Sequence, residues 1–184
     1  MLTDRPTRMR IIAGSLKGRR LDAPTWPGLR PTSDKLRETL FNVLQGRLAG
    51  ARVLDGYAGT GAVGIEALSR GAAHVTFVES DVRARALIAA NLERCGVSGG
   101  YTIERGLAEV VLGRLAPDYD VVFLDPPYDE ADLGPAVTLG SGCLAADGIC
   151  VLEHASRREP PSVDGTGPAR RLASGDSALA FYVR

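Results

Sequence analysis

Histidine and cysteine are scarce in this chain. His74 and His154 are its only histidines among 184 residues, and Cys95, Cys143 and Cys150 form no Cys-x-x-Cys pair. With so few ligands, none at ligating spacing, no metal centre is expected. An odd number of cysteines is also a poor disulfide framework, so the thiols are read as reduced and structural. No apolar run approaches the length of a membrane-spanning helix, and the amino terminus lacks the apolar centre of a signal peptide. These absences predict a cytoplasmic protein with no membrane partner. No internal repeat, low-complexity tract or dimerisation helix stands out, and a monomer is expected. What remains is average for one globular domain, with 45% hydrophobic and 24% charged residues.

The net charge is zero, but it is unevenly placed. Residues 1–37 hold nine basic against three acidic side chains, a surplus that the acidic remainder balances. A basic arm on an acidic body is expected where one end meets phosphate. Arg10, Lys17, Arg19, Arg20, Arg30 and Arg37 are the candidate contacts to nucleic-acid phosphate, mostly in a basic extension over 1–32 ahead of a main domain over 33–184. Phosphate contacts of this kind give affinity and register rather than base identity.

Periodicity lays out the rest. Residues 9–23 alternate around Gly14 and Gly18 like a β-hairpin, followed by a turn-rich connector, Pro24 to Pro31. Thr32 or Ser33 can cap a helix from Asp34 to Gln45 whose Leu36, Leu40, Val43 and Leu44 share one face. Strand and helix then alternate, with strands at Val53–Asp55, His74–Glu79, Tyr101–Glu104, Val121–Asp125 and Gly148–Glu153. The intervening helices are expected to end near Gly71, to span Val82–Arg94 and Ala108–Leu115, and to run over Ala131–Leu139. Two short strands, Ala169–Ala173 and Ala178–Val183, close the chain. Alternation of this kind predicts an α/β fold: a Rossmann-like, mostly parallel seven-stranded sheet with helices on both faces, finished by an antiparallel hairpin.

Two motifs carry the chemistry. Asp125-Pro126-Pro127-Tyr128 follows a buried-strand run, at the strand end where open α/β sheets place ligands. Consecutive prolines stiffen the turn and leave carbonyl oxygens free to accept. A carboxylate and a carbonyl for two N–H bonds, with a ring to stack on, suit a planar base bearing an exocyclic amine. The second motif, Asp55-Gly-Tyr57-Ala-Gly59-Thr-Gly61-Ala-Val-Gly64, reads as strand, glycine turn and helix, and Glu79 ends the next strand where a ribose hydroxyl pair would bind. Gly59-x-Gly61-x-x-Gly64 also fits a dinucleotide fingerprint. Asp55 weighs against NAD, because a carboxylate there would repel a pyrophosphate and suit a cationic cofactor such as S-adenosylmethionine. Asp55, Tyr57, Gly59, Gly61 and Glu79 are therefore the candidate cofactor residues of a class I amino-group methyltransferase. Asp125, Pro126, Pro127 and Tyr128 are its candidate catalytic residues.

With these residues assembled, the chain resembles the RsmD family of bacterial methyltransferases. The resemblance runs nearly end to end, through Arg10-Ile-Ile-Ala-Gly14, Lys17-Gly-Arg19-Arg-Leu21, Arg30-Pro-Thr32, Arg37-Glu-Thr-Leu-Phe-Asn42, Glu66-Ala-Leu-Ser-Arg-Gly-Ala72 and Ser174-Gly-Asp176-Ser-Ala-Leu179. It implies methylation of the N2 amine of one guanine in 16S rRNA, within the small ribosomal subunit or its assembly intermediate. Two positions depart from the family's pattern. Gly56 replaces a larger apolar residue, which predicts a looser turn after the first strand. Arg105-Gly106-Leu107-Ala108 lacks an acid for the adenine amine. The motifs by themselves also admit N6-adenine or N4-cytosine methylation, a non-catalytic RNA-binding factor, or a dinucleotide oxidoreductase.

Overall fold

The computed structural model describes residues 9–29 and 32–184. Its order is α1 (Asp34–Val43), β1 (Arg52–Asp55), α2 (Ala62–Ser69), β2 (His74–Glu79), α3 (Val82–Arg94) and β3 (Tyr101–Arg105). There follow α4 (Ala108–Leu112), β4 (Tyr119–Leu124), α5 (Gly134–Gly142), β5 (Leu144–Ala155), β6 (Arg170–Ser174) and β7 (Ser177–Val183). The seven strands form one sheet in the order β3-β2-β1-β4-β5-β7-β6. Strands β1 to β5 pair in parallel, and β7 runs antiparallel to both β5 and β6. This is the Rossmann-like, mostly parallel seven-stranded sheet with an antiparallel closing hairpin that the alternation of strands and helices predicts. No helix of the described residues is long and apolar enough to cross a membrane.

Strand alternation divides the core in two. Val53, Val75, Phe77, Val121, Phe123 and Val151 face α1, α2 and α3. Leu54, Val78, Val122, Leu124, Cys150 and Leu152 face α4 and α5. Local signals start the helices. The Ser33 hydroxyl accepts the Leu36 N–H at 3.2 Å to cap α1, and the Asp81 carboxylate accepts the Arg83 N–H at 2.8 Å to cap α3. Helix α5 begins three residues later than the Ala131–Leu139 expectation. Pro135 falls in its first turn, the one place a helix tolerates a missing donor, and Asp132 accepts the Gly134 N–H at 2.9 Å just ahead. The turn after β1 is tight rather than loose. The Gly56 N–H donates to the Phe123 carbonyl at 2.8 Å, and a Cβ there would lie 2.7 Å from Leu124.

The expected amino-terminal hairpin contracts to one antiparallel bridge, Arg10 with Arg20, supported by Leu21 N–H to Met9 O at 3.0 Å. Met9, Ile11 and Leu21 are buried in the same cluster as Leu36 and Leu40 of α1. Glu66 of α2 anchors this segment. It is fully buried and accepts the Ile12 and Ala13 N–H groups at 2.7 and 2.9 Å and Arg70 Nε at 2.8 Å. Arg37 faces it with Nη1 3.9 Å from the carboxylate.

Arg37 is therefore not an RNA contact. It is 0% exposed, and its Nη2 donates to the Arg10 carbonyl at 2.9 Å and to Asp34 at 2.6 Å. The helical period turned this arginine inward, where a buried acid awaited it. Replacing Glu66 by alanine should leave the part-buried Ile12 and Ala13 N–H groups unpaired and cost about 2–6 kcal/mol of stability. Urea unfolding checks this, and a loss below about 1 kcal/mol would deny Glu66 the anchoring role.

Candidate active site

The carboxyl ends of β1, β2, β4 and β5 open onto one cavity of about 900 Å3, within the range of small-molecule sites. Alternation decides what reaches it. Val53, Phe123 and Val151 face the α1–α3 side of the core, so Asp55, Asp125 and Glu153, each two residues on, take that same face. Because β1, β4 and β5 are neighbours, three carboxylates stand side by side at the rim of the sheet. Glu79 joins them from β2, and Asp129 and Asp176 from the loops. Among the described residues, the lining of this cavity holds no lysine, arginine or histidine.

The glycine turn is shaped by these acids. The Gly59 N–H donates to Glu79 Oε2 at 2.9 Å, and the Asp81 N–H donates to Glu79 Oε1 at 2.8 Å. Two fixed donors hold this carboxylate in place while its remaining lone pairs face the cavity. Gly61 is not part of the lining. With φ of +79° it caps α2, and a Cβ there would press on Ile88. Gly64 serves close packing, since a Cβ would sit 2.2 Å from Phe77. Its N–H donates to Asp55 Oδ2 at 3.1 Å. Asp55 is 1% exposed, and burial pushes its pKa up to about 7; the Gly64 bond opposes the rise and the Glu79 charge adds to it.

Tyr57 lines the cavity while its hydroxyl donates to Glu109 of α4 at 2.6 Å, so it braces the glycine turn. Asp125, Pro126, Pro127 and Tyr128 all line the cavity. The Glu130 N–H donates to the Pro127 carbonyl at 3.0 Å; among the described residues no hydrogen bond falls on the Pro126 carbonyl. The Tyr128 ring is 49% exposed, and its hydroxyl meets Ser177 Oγ at 2.5 Å. Burial, then the nearby Glu153 and Asp55 charges, hold the Asp125 pKa well above the ordinary carboxylate range.

Arg10, Lys17, Arg19 and Arg20 are exposed and lie outside the cavity lining. Arg30 falls outside the described residues. His154 is buried on the face opposite Glu153, with Nδ1 2.9 Å from the Ala155 carbonyl, and does not reach the cavity. Sequence reasoning missed Glu153, Thr32 and Ser177 as site residues. The available signal was an acid ending the apolar run Ile149 to Leu152, but its pairing beside Asp125 depends on sheet order.

The family model described as Conserved hypothetical protein 95 matches residues 9–183. Ribosomal RNA small subunit methyltransferase D of Escherichia coli (strain K12) is 35% identical over 180 residues, which cover 96% of this chain and 90% of that protein. The chain belongs to the RsmD family. YlbH of Bacillus subtilis is 38% identical over 180 residues, covering 95% of this chain and 98% of that one. The solved structure of yhhF from Escherichia coli superposes with a TM-score of 0.85 at 33% identity, covering 96% and 98% of the two chains.

The raised Asp55 pKa fixes the sign of a stability effect in this RsmD-family chain. A carboxyl whose folded pKa exceeds its unfolded value favours the fold below the ordinary 3.8, and that contribution is lost as pH rises through about 7. Asp55→Asn keeps an acceptor for the Gly64 N–H but cannot ionise. The variant should lose less stability than the parent between pH 5 and 8, by an amount on the order of a few kcal/mol. Equal losses, measured by urea unfolding at both pH values, would contradict the shift.

Proposed function

We propose that this protein transfers the methyl group of S-adenosylmethionine to the N2 amine of a guanine in 16S rRNA, guanine 966 in the family. The substrate is the small ribosomal subunit or its assembly intermediate. The single observation that carries the reading is a cavity lined by six carboxylates and, among the described residues, no basic side chain. Such a lining suits a cofactor bearing a sulfonium and an ammonium, and it would repel the pyrophosphate of NAD. Membership of a family with rRNA small subunit methyltransferases supports the choice of polymer.

Within that reading, Glu79 would hold the ribose hydroxyls and Asp55 would face the cationic end of the cofactor. Gly59 leaves room for close approach. When bound, S-adenosylmethionine supplies an electrophilic methyl group. The guanine N2 lone pair is delocalised into the ring and is a poor nucleophile. The Asp125 carboxylate and the Pro126 carbonyl would accept its two N–H protons, localising the lone pair and offsetting the developing positive charge. Tyr128 would stack on a base drawn out of its helix. Alignment of nitrogen with the methyl group supplies much of the remaining acceleration. Arg10, Lys17, Arg19 and Arg20 would contact phosphates and set the register.

Labelled methyl transfer to small subunits from cells lacking this protein should yield N2-methylguanosine at one site. Label in N6-methyladenosine or N4-methylcytidine would overturn the base assignment. S-adenosylmethionine should raise the melting temperature of the protein, and NAD should leave it unchanged. Asp125→Ala should cost about a hundredfold or more in transfer rate, and a near-normal rate would remove Asp125 from the mechanism. Replacing Arg10, Lys17, Arg19 and Arg20 by alanine should lower the salt slope of RNA binding by about one for each phosphate left without its cation. An unchanged slope would place the RNA elsewhere.

A further inference from the structure

Glu153 is a buried acid that the mechanism above leaves without a task. It is 5% exposed, it ends the inner stretch of β5, and it lines the cavity beside Asp125. Between the two lies Thr32, whose Oγ1 is 3.2 Å from Glu153 Oε2 and 3.5 Å from Asp125 Oδ2. A hydroxyl carries one proton and donates to one acceptor at a time. Two carboxylates thus compete for one donor, with no cation among the described lining residues to compensate them. Ser177 of β7 pairs in register with Ala155, two residues on from Glu153, and its Oγ meets the exposed Tyr128 hydroxyl at 2.5 Å. The Thr32 hydroxyl therefore bridges the Asp125 and Glu153 carboxylates, and the hydroxyl pair of Ser177 and Tyr128 lines the same cavity.

Resting on the methyl-transfer reading, we propose that Glu153 is a positioning residue for that reaction: it shares a proton with Asp125 through Thr32 and receives the proton that the amine loses. The carbon–sulfur bond breaks with its electron pair on sulfur, and the nitrogen lone pair forms the new nitrogen–carbon bond. The nitrogen, now cationic, passes a proton to the Asp125 carboxylate. Thr32 takes that proton and gives its own to Glu153. The net exchange is a methyl group in and a proton out, with no other reactant. Crowded carboxylates that share one proton titrate as a pair, one of them raised. The groups facing Asp125 are Glu153, Asp55 and the Thr32 hydroxyl; those facing Glu153 are Asp125, Thr32 and Ser177. Burial pushes both pKa values up, the Glu153 and Asp55 charges add to the rise at Asp125, and the Thr32 bond opposes the rise in each.

The test combines single-turnover methyl transfer to unmodified small subunits with an infrared carboxyl titration of the ligand-free protein. Glu153→Gln keeps the shape and removes the charge. Its plateau rate should fall about tenfold or more, with cofactor binding unchanged. The acid limb of its rate profile should move to lower pH, because Asp125 has lost an anionic neighbour. The infrared titration should show the same downward move. Thr32→Val should also slow transfer, but move the carboxyl titration to higher pH, because a stabilising donor is gone; Thr32→Ser should restore both. Parental rate, pH profile and titration in Glu153→Gln, with Asp125→Asn inactive, would overturn the relay and leave the methyl-transfer reading intact. Should Glu153→Gln not fold, a Thr32→Val protein with parental rate and titration would overturn it equally. A parent protein that methylates no subunit would remove the reading and the relay together.

Discussion

A cluster of acids, with no basic side chain beside it among the described lining residues, organises the functional half of this molecule. In a parallel sheet every strand ends on the same side, and residues in phase on neighbouring strands end on the same face. Asp55, Asp125 and Glu153 are in phase on three adjacent strands, so the fold itself brings their charges together. Main-chain and hydroxyl donors are what hold them: Gly64 for Asp55, Gly59 and Asp81 for Glu79, Thr32 for the remaining pair. These donors orient carboxylates but leave their charge uncancelled. Helix α2 shows the contrast. Its own buried acid, Glu66, is met by Arg37, Arg70 and two main-chain N–H groups, and it takes no part in the cavity. One acid is met by cations and is structural; the others, with no cation among the described lining residues, face the cavity.

The segment before α1 links these two halves. Glu66 takes the N–H groups of Ile12 and Ala13, Ser69 donates to the Ala13 carbonyl at 2.5 Å, and Asn91 accepts the Asp22 N–H at 2.7 Å. Those bonds run across more than fifty residues of sequence and fasten the segment over α2 and α3. The chain then reaches the cavity at Gly28 and Leu29, and Thr32 arrives above the strand ends before Ser33 starts α1. A stretch whose composition suggests an appended basic arm thus also delivers a hydroxyl to the acids. Its exposed arginines and its buried Met9, Ile11 and Leu21 serve opposite sides of the same ribbon.

The parts of this design that depend on local pattern could be read from the sequence. Helix α3 lies over Val82–Arg94 as the cap at Asp81 and the stop near Gly96 imply. The strand ends bearing Asp55, Glu79 and Asp125 were marked by hydrophobic runs closed by acids. What could not be read depends on which elements become neighbours. Arg37 looked like one more member of a basic series until the packing of α1 on α2 turned it toward Glu66. Gly61 matched a ligand-contact spacing, yet its left-handed φ serves the helix cap. Glu153 and His154 stand side by side at the end of an expected strand, and alternation sends the two to opposite faces. Choosing between them required the order β1-β4-β5.

That order also bears on why a proton relay belongs in such a site. Methylating an amine converts a cationic cofactor into a neutral product while the nucleoside gains no lasting charge. The acidic cavity then loses the positive charge it was built around, and the proton released from nitrogen is the only compensating charge at hand. A single carboxylate that took this proton would be neutralised and could not orient the next amine. Two carboxylates coupled through one hydroxyl avoid the conflict: the proton can rest on Glu153 while Asp125 returns to the charged form. The paired hydroxyls of Ser177 and Tyr128, which line the same cavity, offer it a way toward solvent. The same crowding of charge that would destabilise an empty site thus gives the reaction a place to put its proton.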